Sequence, residues 1–561
     1  MPSQAVQINI TLNDWTAVSP LLVIAASILL LLVVDMILPP QHKVWLARLA
    51  LLGVVGAGFS TVVVAVAGAK PGFGGMVVAD AFAAYTNLTL LAGVALTILV
   101  SSSYIRRIHV LASGEYYALI LASTLGMMLL ASGAHFMVQF LGLGLLSLGL
   151  YILAGFTTDR AISREAALKY FLLSSFATAF FLYGVAFLYG ASGTTSLSGP
   201  LTSSFGDRSL FLQVGLGLVA VGLGFKVSAV PFHMWTPDVY QGAPAPVTLF
   251  MAVGTKAAAF AAIFRIFNGA FSDSAASWQP ILWLMAVLTM IAGNLLALRQ
   301  SELKRMLAYS SVAHAGYILV GVVTNTPQSV AASLYYLAVY TAMNAGAFAV
   351  LAAVERSNGR GTTLAELRGL ATRKPVAAAA LGLFLFSLTG IPPLAGFFSK
   401  LAIFTAAAQT QVALTVIGLA MSAVSAYYYL RVAVALYAPL APTVLSAAQG
   451  DDEDDAGGVT LLEEMTAVAP TFSLNEPVPL ARSGTAVLEA PPTLKENALQ
   501  LRSGMATQVQ PASIVSSPED GGIVQGPLYI ALGLAAAGTL LLGFLVGPML
   551  DAALRAAQSL R

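Results

Sequence analysis

Two stretches decide the fold: GLVAVGLGFKVSAVPFHMWTP at 217–237 and SLTGIPPLAGFFSKLAIFTAA at 387–407. Each is apolar enough to belong to a bilayer-spanning segment, yet each carries a lysine, Lys226 and Lys400, together with proline and glycine. A cation near the bilayer centre costs about 3 kcal/mol on insertion scales. Two such residues, both beside a breakable helix, point to a chain that moves protons or ions through its interior.

Composition agrees with a membrane class. Of 561 residues, 58% are hydrophobic and 9% charged, and the mean hydropathy is +0.83. Soluble domains carry about 25% charged residues, so the chain reads as an all-α polytopic membrane protein embedded in a lipid bilayer. It has no cysteine, which excludes thiolate-held iron–sulfur clusters and disulfides within it. The net charge of +2 conceals an asymmetry. Residues 441–525 hold twelve acids and three bases, leaving thirteen acids and twenty-four bases for the remainder. That stretch includes DDEDD at 451–455 and eight prolines. It reads as an acidic, Pro-rich cytoplasmic linker that cannot bury enough apolar surface to order itself, with docking onto a basic partner as the alternative.

At about 20 apolar residues per crossing, fourteen segments are expected. They run near 17–38, 44–68, 80–101, 116–133, 135–156, 165–190, 209–233, 244–269, 278–298, 303–324, 328–354, 375–408, 411–438 and 526–548. The first is not a cleavable signal, because residues 1–20 carry no Lys or Arg. Lys43, Arg48, Arg106, Arg107, Arg160, Arg164, Arg299 to Arg305 and Arg356 to Lys374 fall mainly in alternate loops. The positive-inside rule makes those loops cytoplasmic and puts both termini outside.

The chemistry is expected around the breaks. Pro231, Pro237, Gly242, Pro244 and Pro246 follow Lys226, and helix hydrogen bonds are lost there. Freed carbonyls at membrane depth need water or polar partners, which gives Lys226 a hydrated route. Lys400 follows Gly390, Pro392, Pro393 and Gly396, so two broken spans roughly matched in the chain suggest an internal repeat. Lys256, in FMAVGTKAAAFAAIF at 250–264, reads as a relay partner. Lys304 is placed to face inward, while Arg305 anchors the membrane edge. Lys169 divides between a structural charge and a relay role. His314, ten residues beyond Lys304, divides between a satisfied core histidine and a proton carrier bridging two lysines; His233, beside the first break, divides the same way. For the lysines the bland alternative is snorkelling to the interface. GVVGAG at 53–58 is helix packing rather than a dinucleotide loop, because no βαβ pattern surrounds it. No Walker A sequence, HExxH or Cys/His metal spacing occurs, so no metal is expected, and the dispersed basic residues speak against nucleic acid.

The segments FKVSAVPFHMWTPDVYQGAPAPVT (225–248), LKRMLAYSSVAHAGYILVG (303–321) and SLTGIPPLAGFFSKLAIF (387–404) resemble the hallmark motifs of subunit N of NADH-quinone oxidoreductase, the antiporter-like subunit of bacterial respiratory complex I. EYYALILASTLGMMLLASG (115–133) and EAALKYFLLSSFATAFFLYG (165–184) extend the match, which covers about residues 20–440 and the last span. The resemblance implies fourteen helices, with three N-terminal spans in 1–115, inverted five-helix repeats in 116–270 and 271–440, and breaks at spans 7 and 12. Residues 441–525 remain the linker and 526–561 the last span and tail. It further implies proton translocation in a bacterial plasma membrane, driven by redox chemistry elsewhere. No cofactor would be bound by this chain; NADH, FMN, iron–sulfur clusters and quinone would sit with the other membrane and peripheral subunits of complex I. Lys226 would be the central broken-helix lysine, Lys256 the next on a polar axis and Lys400 the exit-side titrating residue, with Lys304 and His314 connecting the halves.

One departure stands out. The family pattern FLGLELLSL carries a glutamate paired with the broken-helix lysine, whereas this chain reads QFLGLGLLSLGLY at 139–151, with Gly144 at that position. No acid occurs between Glu115 and Asp159. The competing readings are a subunit of a multisubunit cation/proton antiporter, and a membrane-arm scaffold whose pumping is impaired by Gly144.

Overall fold

The computed structural model describes residues 11–68, 71–107, 113–197, 209–356, 359, 361–439 and 526–560. The chain divides into two units, one formed by Met1–Pro439 with Val524–Arg561 and the other by Leu440–Ile523. All described residues belong to the first, and the acidic segment 441–525 lies outside them.

Three long helices open the bundle: α1 (Leu12–Ile37), α2 (Val44–Val66) and α3 (Ala81–Arg107). Asp14 folds back at the start of α1, accepting from the Thr11 amide at 2.6 Å and from the Phe73 amide. It thereby caps a helix terminus and pins the short hairpin Pro71–Gly72/Val77–Val78. Large apolar side chains on α1 and α2, among them Leu29, Met36, Leu52 and Phe59, are exposed. In a membrane these are lipid-facing positions.

Next come α4 (Ser113–Ser132), α5 (Phe136–Ala154), α6 (Ala161–Ser192) and α7 (Ser209–Val227). Glycine sets the α4–α5 distance, since a Cβ on Gly126 would lie 2.3 Å from the Leu146 amide nitrogen. α7 stops at Val227, Ser228 takes φ +64°, and a separate short helix α8 (Trp235–Gly242) follows. The run 209–233 is therefore a helix plus a turn. Pro231 lies in that turn. Pro237 breaks nothing, contrary to expectation, because it occupies the first turn of α8, where its missing N–H is not needed. Pro244 is the N-cap of α9 (Ala245–Phe250), which continues through a π-helical turn at Met251–Thr255 into α10 (Lys256–Ile263).

α11 (Ala275–Leu298), α12 (Leu303–Thr324) and α13 (Pro327–Val354) follow. The rod from Ala245 to Ala270 and α12 are enclosed on every side, and α13 nearly so. Helices buried all round need no face turned to solvent, and the polar residues these carry, among them Lys256, Lys304 and His314, are buried with the rest. Two short helices, α14 (Leu364–Leu367) and α15 (Leu370–Arg373), lead to α16 (Pro375–Thr389) and α17 (Ala395–Ala408). The run 375–408 is thus two helices separated by Gly390–Leu394, with Pro392 and Pro393 in the connection. α18 (Val412–Tyr437) and α19 (Gly526–Phe544) complete the spans. Thirteen described helices are long and apolar enough to cross a membrane. The α16–α17 pair accounts for the fourteenth crossing expected from the sequence. A last helix, α20 (Val546–Gln558), stands where the sequence suggests only a tail; it buries Ala553, Ala556 and Ala557 and exposes Asp551 and Arg555.

Candidate proton-transfer site

Lys226 occupies the last turn of α7 and is 2% exposed. Its Nζ donates to Ser147 Oγ on α5 and Ser174 Oγ on α6, both at 2.7 Å. The Tyr170 ring lies 5.3 Å away and the Tyr151 ring 5.9 Å, a cation–π cage. Tyr151 also donates to Ser174 at 2.8 Å. Trp235 stacks on Tyr170 and Phe225 and donates its indole N–H to the Phe225 carbonyl, which also accepts from the Ser228 amide at the end of α7. Lys226 thus rests on hydroxyls and aromatic faces, with no carboxylate among these partners. Gly144 lies one turn before Ser147, and a Cβ added to it would meet nothing within 4 Å.

Lys256 is 1% exposed and spans from the rod to two other elements. It donates to the Val227 carbonyl at 3.0 Å and to the Ser311 carbonyl on α12 at 2.7 Å. Lys400 does the equivalent at the second break, donating to the Leu388 and Thr389 carbonyls at 3.0 and 2.8 Å and to Ser422 Oγ at 2.9 Å. The sequence pairs Lys400 with Lys226. By the groups they hold, Lys400 matches Lys256, since both satisfy carbonyls that a broken helix releases. Lys400 also borders a cleft of about 560 Å³ between α17 and α18.

α12 connects these points. From Ser311, contacted by Lys256, one turn leads to His314, and the next to Tyr317, whose ring lies 5.4 Å from Lys400 Nζ. His314 bridges tyrosines rather than lysines: Nδ1 pairs with Tyr336 at 2.7 Å and Nε2 with Tyr429 at 3.1 Å. At the start of the same helix, Lys304 is 1% exposed and donates to Glu355 Oε1 at 2.9 Å and to the Ala243 carbonyl at 2.8 Å.

Two expected residues lie apart. The Lys169 side chain is 41% exposed and ion-paired with Glu165 at 2.7 Å and Asp238 at 2.8 Å. Asp238 also binds Arg305 at 2.7 Å, so this cluster ties α6, α8 and α12 together. His233 sits in the turn after α7, and its buried Nδ1 has no partner among the described residues. Sequence reasoning missed Ser147, Ser174 and Glu355. A serine in an apolar helix is usually satisfied by its own backbone, and Glu355 reads as the first charge of a loop. Among the described residues, no group of three His, Cys, Asp or Glu could hold a metal ion.

A bundle with two broken spans and buried lysines strung along an enclosed helix defines an antiporter-like membrane protein. A family model described as NADH:quinone oxidoreductase/Mrp antiporter, TM, matches residues 133–425. The NADH-quinone oxidoreductase subunit N of Trichlorobacter lovleyi is 44% identical over 444 residues, covering 78% of this chain and 90% of that protein. Among solved structures, a chain of respiratory complex I from Thermus thermophilus is 38% identical with a TM-score of 0.64, over 76% of this chain and 94% of its own. A chain of the Mrp complex from Dietzia superposes with a TM-score of 0.69 over 98% of both chains at 22% identity, a likeness of fold. The chain belongs to the NADH-quinone oxidoreductase subunit N family.

Proposed function

We propose that this protein is a proton-translocating subunit in the membrane arm of an NADH-quinone oxidoreductase, working through the axis Lys226, Lys256, Lys304, His314 and Lys400. The carrying observation is that three of its lysines sit at most 6% exposed beside the two helix breaks, two of them on carbonyls that those breaks release. Bound carbonyls and hydroxyls solvate an ammonium without fixing its charge as a carboxylate would, so each lysine can lose and regain a proton as its surroundings hydrate. NADH oxidation, with FMN and iron–sulfur clusters, and quinone reduction would occur in partner subunits of the complex, and this chain would contribute the proton path. The charge distribution of the loops supports a multi-pass orientation with both termini on the outer side of a bacterial plasma membrane.

The test is proton uptake per NADH oxidised by the assembled complex in proteoliposomes. Lys226→Ala removes a buried charge whose partners are neutral, so assembly should persist. Uptake or turnover should fall severalfold; an assembled variant that pumps like the parent removes Lys226 from the path. Gly144 favours a second reading, a membrane-arm scaffold with impaired pumping. In that case the parent complex itself would show a reduced proton yield, and Lys226→Ala would change little.

A further inference from the structure

We propose that Glu355 is a proton-exchanging carboxylate of this axis, acting on Lys304, and that the cleft beside it is its aqueous mouth. This rests on the proton-translocation reading above. With Gly144 in place of an acid, the hydrogen bonds of Lys226, Lys256 and Lys400 go to hydroxyls and carbonyls. Lys304 differs, because its Nζ meets Glu355 Oε1 at 2.9 Å, and both side chains are almost completely buried.

Glu355 follows the last residue of α13 and gathers several elements. Arg160 Nη1 approaches Oε1 at 3.4 Å, while Oε2 accepts from the Tyr104 hydroxyl at 3.0 Å and the Ala245 amide at 3.2 Å. The last two bonds fix the carboxylate at the foot of the buried rod. Among the described residues, Oε1 faces Lys304 and Arg160. A cleft of about 540 Å³ adjoins Glu355, lined also by Arg356, Glu366, Arg373 and Lys374. The Glu355 side chain is fully buried, and that of Arg160 beside it is 14% exposed. A buried ion pair adjoining a cleft lined by charged side chains has both an electrostatic partner and a neighbouring space that water can fill.

The cycle balances. A hydronium ion in the cleft protonates Glu355 and leaves water. Lys304, its counter-charge gone, releases a proton to water on the inner side of α12. The neutral acid then passes its proton across the Oε1–Nζ hydrogen bond, restoring carboxylate and ammonium. One proton has crossed from cleft water to axis water, and only O–H and N–H bonds have changed.

The experiment uses the assembled complex in proteoliposomes. Glu355→Gln preserves shape and removes the titrating group. Proton uptake per NADH, or turnover, should fall roughly tenfold or more, as for loss of a positioned proton carrier, and Glu355→Asp should restore part of it. An assembled Glu355→Gln variant that pumps like the parent overturns the proposal. If that variant does not assemble, Glu355→Asp carries the test by infrared difference spectroscopy during turnover. The protonated-carboxylic-acid C=O band should shift in the Asp variant; an unmoved band, or none, overturns the assignment. Lys226→Ala separates the levels. If it stops pumping while Glu355→Gln does not, only Glu355 is misassigned; if it leaves pumping intact, the lysine axis itself fails.

Discussion

Lys256 reaches 3.0 Å from the carbonyl oxygen of Val227, so the lysine of one helix completes the broken end of another. The same Nζ holds the Ser311 carbonyl at 2.7 Å, and a single ammonium thus joins α7, the buried rod and α12. Its position is structural and chemical at once, and substitutions should separate these roles.

Lys256→Met should lower the thermal midpoint of the assembled complex, because the buried Val227 carbonyl at the break loses its donor, at about 1–3 kcal/mol. Pumping should be abolished. A Met variant with an unchanged midpoint would mean that water replaces the ammonium, and the pumping assay would then report on proton transfer alone.

Gly390 is required at the second break. Its φ is +91°, and an added Cβ would lie 3.2 Å from Lys400 Cδ. Gly390→Ala should cost about 1–2 kcal/mol through the left-handed backbone and displace Lys400 from the Leu388 and Thr389 carbonyls. Lys400→Arg tests the chemistry separately: arginine can occupy the site but stays charged, so pumping should fall while assembly holds. Full activity in the Arg variant would make Lys400 a fixed charge and not a carrier.

Gly144→Glu meets no steric obstacle, since nothing lies within 4 Å of the added Cβ. The change also gains roughly 0.5 kcal/mol of helix propensity. If Lys226 works on its hydroxyl cradle alone, a carboxylate nearby should hold its proton too firmly and slow turnover. If pumping is impaired for lack of an acid, the same substitution should raise the proton yield. Gly144→Gln is the control, and identical behaviour of Gln and Glu would exclude an electrostatic effect.

Asp80 should be critical to stability. Its two oxygens bind the Arg265 guanidinium at 2.8 and 3.0 Å, and both side chains are under a tenth exposed. Asp80→Ala leaves an uncompensated buried cation, a loss of about 3–5 kcal/mol, whereas replacing both residues with apolar ones of similar volume should recover much of it. Detergent-solubilised complex and a thermal aggregation assay would read both variants. A single variant as stable as the parent would show that Arg265 finds another partner.

Apolar run lengths made the spans legible, and prolines marked both breaks. The first two lysines announced themselves because nothing else explains a cation in such runs. What sequence could not reveal was which groups meet them. Ser147 and Ser174 lie on different helices and converge on Lys226 only through the packing of α5, α6 and α7. Glu355 looked like a loop charge because its burial depends on Tyr104, Arg160 and Lys304, all distant in the chain. Which carbonyls a lysine reaches was hidden as well: Lys256 and Lys400 both hold carbonyls at a helix break, which spacing from a proline does not show.

α12 is enclosed on every side while carrying Lys304, His314 and a row of hydroxyls. Such a helix is a poor resident of lipid by itself, so its shelter must be built by its neighbours. α12 packs directly on α13, and α3, α19 and α20 also pack against α13. The Phe82 amide at the start of α3 donates to Ser559 at 3.1 Å, near the far end of the chain. Biogenesis is therefore a problem of deferred closure: α12 is translated before α13, α17 and α18, which pack against it. During that interval the half-built bundle must be shielded by the insertion machinery or by already folded partner subunits.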